Sequence, residues 1–448
     1  MVHGSARCGV WLVFALAISA CGADDPALPS NPGQITFPPV VSSPGSGGDS
    51  NPGTASGVGT GAAPDPSGQQ PSIGDTRELL IGQSSQGCWA DYQQQGGTPS
   101  GGSVYYEVKS GHFNGGAEEN HTAYARFLAE RGDLIQIGVS WKDNPPGWTG
   151  TGDNGPAARE ATVAISRGDL DGQFGALIDF IKAYPGARFL IRIDYEVSSY
   201  YHCSDDNCDS YKAAFNHVAE LIRSRVGAAA QVKFVFHPVR GEFEKMYPGD
   251  AKVDYLGISI FNHELCLPIY NQGQTLTNGA PGVGFDPGTN QCKGYVIERV
   301  NGNAAARAAS FDYDQNVLLM LKFARDHQKP VVVSESAPMN FEAGQSQDGT
   351  ERDELVTTWV NRLFGLLTYQ GSLPNLEGLH DLSGVIRVVT YINADLRYGW
   401  DGQQPGQTEF RFPYDSDWHI NAQIHRYALA FPAFCQGLSK NAFRTRCP

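Results

Sequence analysis

The stretch Phe189-Leu190-Ile191-Arg192-Ile193-Asp194-Tyr195-Glu196 decides how the chain is read. Its first half is apolar with little alternation, which suits a strand covered on both faces. It then closes on Asp194, Tyr195 and Glu196. DGQFGALIDFIKAY, beginning at Asp171, lies just before it, with Phe174, Leu177, Ile178 and Ile181 spaced as on one face of a helix. SYKAAFNHVAELIRSRV, beginning at Ser210, follows with the same kind of spacing. A buried strand between two amphipathic helices is the unit of a parallel sheet.

The same texture extends in both directions. LLIGQ at Leu79, VYYEV at Val104 and LIQIGVSW at Leu134 precede it; KFVFHP at Lys233, YLGISIF at Tyr255, PVVVSES at Pro330 and VIRVVTY at Val385 follow. Further helical stretches begin at Asn120, Asp314 and Glu354. Eight strands alternating with helices predict an α/β fold, a (β/α)8 TIM barrel over residues 76–448, with a doubly wound open sheet as the alternative. No helix is legible in the Gly-rich stretch from Gln83 to Gly102, where a barrel needs one.

Ahead of this domain the sequence reads as an address and a tether. Residues 1–20 carry Arg7 and a short apolar run, Gly9 to Ala17, too short to cross a bilayer. The run ends in Ile18-Ser19-Ala20-Cys21, which resembles a bacterial lipobox; that resemblance implies a lipoprotein signal with lipidation of Cys21. Residues 21–75 are rich in Pro, Gly and Ser with few large apolar side chains, the composition of a disordered linker. The expected location is the bacterial cell envelope, with the membrane reached through lipid alone.

The 47 acidic residues outnumber the 33 basic ones, for a net charge of -14, which argues against a nucleic-acid partner. Seven cysteines follow Cys21. Proximity suggests Cys203 with Cys208, Cys266 with Cys292 and Cys435 with Cys447, leaving Cys88 over. The acidic run between Cys203 and Asp209 reads either as a calcium loop or as a disulfide-closed turn. Zinc-binding spacings are missing from the sequence, and neither a metal nor any other cofactor is expected. The Gly- and Asn-rich insertion from Asn271 to Asn303 would wall a cleft or form a surface loop.

In a parallel barrel the active site lies at the C-terminal ends of the strands. Polar and aromatic residues that close the apolar runs are therefore the candidates: Trp141, Arg192, Tyr195, Glu196, His237, Asn262, His263, Glu335, Tyr391 and Asn393. Two carboxylates on one rim are what glycoside hydrolysis needs, one to move a proton and one to attack the anomeric carbon. Alternation would point Arg192, Asp194 and Glu196 into the mouth, where Arg192 could reach Glu335.

The run from Phe189 to Glu196 resembles the acid/base strand of glycoside hydrolase clan A, nearest to family 26. Lys329 to Glu335 resembles the clan's nucleophile strand, Val253 to Ser259 the strand before it, and Val388 to Asn393 the last strand. The resemblance implies a retaining hydrolase, endo- or exo-acting with endo action expected, of a β-linked polysaccharide or oligosaccharide such as mannan, xylan or glucan. It implies Glu196 as acid/base, Glu335 as nucleophile and Tyr391 as a sugar platform, in a monomer. Tyr195 stands where family 26 has His. Phe261 stands near where the clan has a Tyr touching the nucleophile, which would leave that contact to Asn262 or His263. A non-catalytic glycan-binding lipoprotein on the same barrel is the rival reading.

Overall fold

The computed structural model describes residues 76–83, 86–113, 118–141, 155–197, 208–238, 243–267, 270–275, 281–283, 292–300, 303–310, 313–339, 349–370, 382–394, 422–445 and 447. The leader 1–20, Cys21, the linker 21–75 and Cys203 lie outside them. Among the described residues no helix is long and apolar enough to cross a membrane.

Eight parallel strands close on themselves: β1 (Glu78–Gln83), β2 (Gly101–Glu107), β3 (Leu134–Ser140), β4 (Arg188–Ile193), β5 (Gln231–Phe236), β6 (Tyr255–Ile260), β7 (Val331–Ser336) and β8 (Ile386–Tyr391). β1 pairs with both β8 and β2, which makes the sheet a barrel and rules out the open doubly wound sheet. Helices α1 (Gln86–Gln94), α2 (Glu118–Glu130), α3 (Gly155–Ser166), α4 (Gly175–Ala183), α5 (Asp209–Val226), α6 (Phe243–Met246), α7 (Gln315–Asp326), α8 (Gly349–Leu367) and α9 (Ala430–Lys440) accompany the strands.

The chemistry of the helices explains where they form. In α5, Tyr211, Ala214, Phe215, Val218 and Ile222 are buried on one face, and Gly227 ends the helix at φ 78°. Asp314 caps α7, its carboxylate accepting from Asn316 N at 2.7 Å. The helix missing from the sequence reading is α1, nine residues that bury only Cys88, Trp89 and Tyr92. Gln and Gly around those three residues hide the pattern. Trp89 packs edge-on against Phe127 of α2 and lies beneath the Arg131 guanidinium.

The barrel interior is layered. Leu80, Leu134, Leu190, Val235, Val332 and Val388 form an apolar plug from six strands, with Tyr255 against it. Above the plug Gln136 donates through Nε2 to Ser103 Oγ at 3.1 Å, Thr390 Oγ1 at 3.2 Å and the Ser334 carbonyl at 2.8 Å. The outward faces of the strands join the helices in one large core. At the floor Arg77 donates to the carbonyls of Ile386, Asn441 and Leu367, and the chain around it hydrogen-bonds to Ala442 and Arg444. The two ends of the folded domain are thus fastened together beneath the barrel.

Disulfides join Cys266 to Cys292 and Cys435 to Cys447, as the spacing suggested. Cys88 is also disulfide-bonded, which corrects the expectation that it is left over; so is Cys208, and the partners of both lie outside the described residues. The insertion after β6 contains two antiparallel ribbons, 270–275 with 281–283 and 293–300 with 303–310.

Candidate active site

The site is built at the C-terminal end of the barrel from β2, β4, β5, β6 and β7. Arg192, on the inner face of β4, is fully buried, and its Nη1 donates to Glu335 Oε1 at 2.8 Å. The Tyr105 hydroxyl, from the inner face of β2, donates to the same oxygen at 2.8 Å. The guanidinium carbon lies 5.2 Å from the Tyr105 ring centroid and 4.7 Å from that of Tyr195, and the rings are 5.2 Å apart, so the cation packs against both aromatic rings.

Electrostatics match this geometry. Burial works against the Arg192 guanidinium, but its charge interactions with Tyr105 and Glu335 more than offset that and hold its pKa above the ordinary value. Burial first, and then the Glu335 carboxylate, push the Tyr105 phenol well above its usual range. Tyr105 therefore stays an O–H donor. Tyr195 is raised in the same way, by burial and then by Glu335.

Glu335 owes its direction to a β-bulge. In β7, Val333 pairs with Ile258 but Glu335 pairs with Ser259, so Ser334 and Glu335 together oppose one residue of β6. Without that extra residue alternation would carry Glu335 to the outer face. The bulge turns it inward, and the Gln136 amide grips the Ser334 carbonyl at the turning point.

Glu196 is aimed by a different device. β4 ends at Ile193, and Asp194 and Glu196 both take left-handed backbone, at φ 47° and 55°. Asp194 N–H donates to the Val139 carbonyl and Glu196 N–H to the His237 carbonyl, at 2.8 and 2.7 Å. The turn is held between β3 and β5. Strand alternation stops there, so it does not place Asp194; the charge of Asp194 is felt by Tyr211 on α5. Glu196 is fully buried, and its Oε1 accepts from Ser259 Oγ at 2.7 Å.

Two glycines make room. A Cβ on Gly138 would lie 2.7 Å from Tyr105 Cδ1 and 2.9 Å from Arg192 Nη2. A Cβ on Gly257 would lie 2.7 Å from His237 Cβ. Both sit where β3 and β6 pass behind the site's largest side chains.

The structure brings Arg192, Tyr195, Glu196, His237 and Glu335 together. It places the other sequence candidates elsewhere. Trp141 shares the outer face with Val139 and donates to Thr162 of α3 at 3.0 Å. Tyr391 faces the helices, with its hydroxyl on the Ala422 carbonyl at 2.6 Å and its ring against Trp359 and Phe434, so it is no platform at the mouth. Asn393 ties the end of β8 to the Cys88 carbonyl and the Ile424 amide. Asn262 accepts from Met339 N at 2.8 Å, joining the loops after β6 and β7. His263 pairs with the Glu264 carboxylate. Neither Asn262 nor His263 supplies the contact left open by Phe261: Tyr105 does, from the opposite side of the barrel. Ser259 and Tyr105 are the functional positions that the sequence reading missed. Among the described residues no group of three or more His, Cys, Asp and Glu is arranged to hold a metal ion.

These features define a closed parallel barrel with two buried carboxylates linked across its C-terminal mouth. Neither protein-family models nor curated proteins match the sequence. Solved structures to which the chain is similar include family 26 glycoside hydrolases. One is the catalytic domain of an endo-β-1,4-mannanase from a Bacillus species, 13% identical, with 78% of each chain covered and a TM-score of 0.41. Another is the GH26C protein of a Muricauda species, 14% identical over 71% of this chain and 79% of that one, at 0.43. A third is a β-mannanase from a symbiotic protist of the termite Reticulitermes speratus, complexed with gluco-manno-oligosaccharide, 13% identical over 77% and 91%, at 0.36.

Proposed function

We propose that the protein is a retaining glycoside hydrolase acting on a β-linked polysaccharide or oligosaccharide, with Glu335 as nucleophile and Glu196 as acid/base. The observation that carries this reading is the unequal treatment of the two carboxylates. Arg192 and Tyr105 converge on Oε1 of Glu335, while Oε2 accepts no hydrogen bond from a described residue. One carboxylate is thus steadied by a cation and a neutral donor with an oxygen left to attack. The other meets Ser259 instead. Two carboxyl groups in different environments are how such sites divide acid from nucleophile.

In the first step Glu335 Oε2 forms a bond to the anomeric carbon as the glycosidic C–O bond breaks, and the leaving oxygen takes the proton of Glu196. In the second, water adds to the anomeric carbon and gives a proton to Glu196, and the ester electrons return to Glu335. Tyr105 and Arg192 hold Glu335 through both steps. The apolar plug beneath closes the barrel to water from below.

A panel of mannan, xylan, mixed-linkage glucan and galactan identifies the sugar. Glu335→Ala and Glu196→Ala should each lower turnover by several orders of magnitude with the fold intact. With an activated aryl β-glycoside and azide, Glu196→Ala should yield the β-azide and Glu335→Ala the inverted product. Near-normal turnover in both variants, or inversion by the wild type, overturns the assignment and favours a glycan-binding protein or an inverting enzyme. We further propose that Cys21 carries a lipid that holds the enzyme on the bacterial envelope, on the strength of the lipobox-like Ile18-Ser19-Ala20-Cys21.

A further inference from the structure

His237 is fully buried and has polar contacts at both ring nitrogens. Nδ1 lies 3.3 Å from Arg192 Nη1, and a guanidinium nitrogen can only donate. Nδ1 is therefore the acceptor, and the ring is the neutral tautomer with its hydrogen on Nε2. A doubly protonated ring would set N–H against N–H. Nε2 then donates to Ser259 Oγ at 3.2 Å, and the Ser259 hydroxyl directs its own hydrogen to Glu196 Oε1 at 2.7 Å. The two hydrogens of Arg192 Nη1 match its two acceptors, His237 Nδ1 at 3.3 Å and Glu335 Oε1 at 2.8 Å. Every donor direction from the guanidinium to Glu196 is thereby fixed.

We infer that Ser259 is a positioning residue that determines which oxygen of Glu196 carries the catalytic proton; this rests on the acid/base reading of Glu196. Because Oε1 accepts the hydrogen of Ser259, the proton resides on Oε2 whenever Glu196 acts as an acid. His237 is the clamp behind this arrangement. It holds Ser259 through Nε2 and the Glu196 backbone through its own carbonyl, at 2.7 Å from Glu196 N. Its role is therefore to orient the acid, not to touch the sugar. Gly257 leaves the space in which the imidazole lies.

The test compares leaving groups. Ser259→Ala and Ser259→Thr are assayed beside Glu196→Ala on the 2,4-dinitrophenyl and phenyl β-glycosides of the sugar that the polysaccharide panel selects. The phenyl glycoside needs protonation of its leaving group and the dinitrophenyl glycoside does not. Ser259→Ala should lose roughly 10- to 100-fold in kcat/KM on the phenyl substrate, while the dinitrophenyl kcat/KM, which reports the first step alone, is kept within about 3-fold. Ser259→Thr, which retains the hydroxyl, should restore most of the loss. Equal losses on both substrates, no loss on either, or failure of Thr to rescue overturns the inference. Glu196→Ala separates the two ideas: if it shows no dependence on the leaving group, the acid/base assignment itself falls. Circular dichroism, together with the retained dinitrophenyl rate, reports that Ser259→Ala is folded.

Discussion

Tyr105→Phe isolates one hydrogen bond. The ring stays, and with it the packing against Tyr195 at 5.2 Å and the Arg192 guanidinium above it. What is lost is the hydroxyl that donates to Glu335 Oε1 at 2.8 Å. A buried hydrogen bond to a charged group contributes about 1.5–3 kcal/mol. At about 1.4 kcal/mol per factor of ten, full expression in the chemical step corresponds to about 10- to 150-fold. Arg192 still grips the same oxygen, so the lower half of that range is expected, about 10- to 50-fold in kcat. Tyr105 is only 1% exposed, so it cannot form much of the sugar-binding surface, and KM should stay within about 3-fold. The same lost bond should lower Tm by about 2–4 °C, at about 1.3 °C per kcal/mol for an unfolding entropy of about 2.1 cal/mol/K per residue over the whole barrel. Steady-state kinetics on the selected β-glycoside and a thermal melt give both quantities. A tenfold rise in KM with kcat unchanged would show that Tyr105 touches substrate. A lowered Tm with unchanged kcat would show that it merely packs. Either result refutes the claim that Tyr105 steadies the nucleophile.

Gly138→Ala should lower kcat more than stability, because its Cβ would meet Tyr105 and Arg192 under 3 Å and must displace the pair that holds Glu335; a variant as active as the wild type removes that argument. Burial raises the phenols of Tyr105, Tyr124, Tyr195, Tyr211 and Tyr391 well above the usual value of 10.0. The folded state then favours the protonated phenol, so this part of the stability is intact below about pH 10 and is lost as the pH rises towards the folded values. Absorbance at 295 nm should show these tyrosines ionising together with unfolding, and ionisation of all tyrosines in a still-folded protein near pH 10 would contradict the sign. Cys21→Ser should shift the protein from the membrane fraction to the soluble one; persistence in the membrane fraction means that something other than lipid on Cys21 retains it.

The barrel was legible because its strands are buried on both faces. Continuous apolar runs such as LIQIGVS and VVVSES cannot be hidden by surface variation. The end of the barrel that holds the candidate site was legible too, since polar groups of this fold gather at the C-terminal strand ends. What a strand end does not reveal is the face. Ser140 precedes Trp141 and Thr390 precedes Tyr391, and in each pair it is the earlier residue that follows the inward alternation of its strand. Counting forward from Gln136 and Val388 would have sent both aromatics outward. The same count in β2 puts Ser103 and Tyr105 inside and Tyr106 outside. Glu335 defeats the count, because the bulge at Ser334 appears only when β7 is laid against β6. For Glu196 the count gives the observed face, although two left-handed residues end the alternation before it and a turn, not the strand, aims the side chain. The helix after β1 escaped notice because only three of its nine residues pack inward.

The fastening of both ends of the folded domain around Arg77 bears on how that domain can be attached to something else. The chain enters β1 and leaves after α9 at the floor, where one guanidinium reaches the first residue of β8, the end of α8 and the residue after α9. The mouth with its two glutamates is at the other end of every strand. A handle joined before Thr76 or beyond α9 therefore sits on the blunt side of the barrel. Immobilised on a resin or fused to a carrier through either end, the domain should present an unobstructed opening to insoluble polymer. Grafting through the segment after β6, beside the rim that Cys266 and Cys292 staple, would put the support at the mouth where the proposed substrate binds.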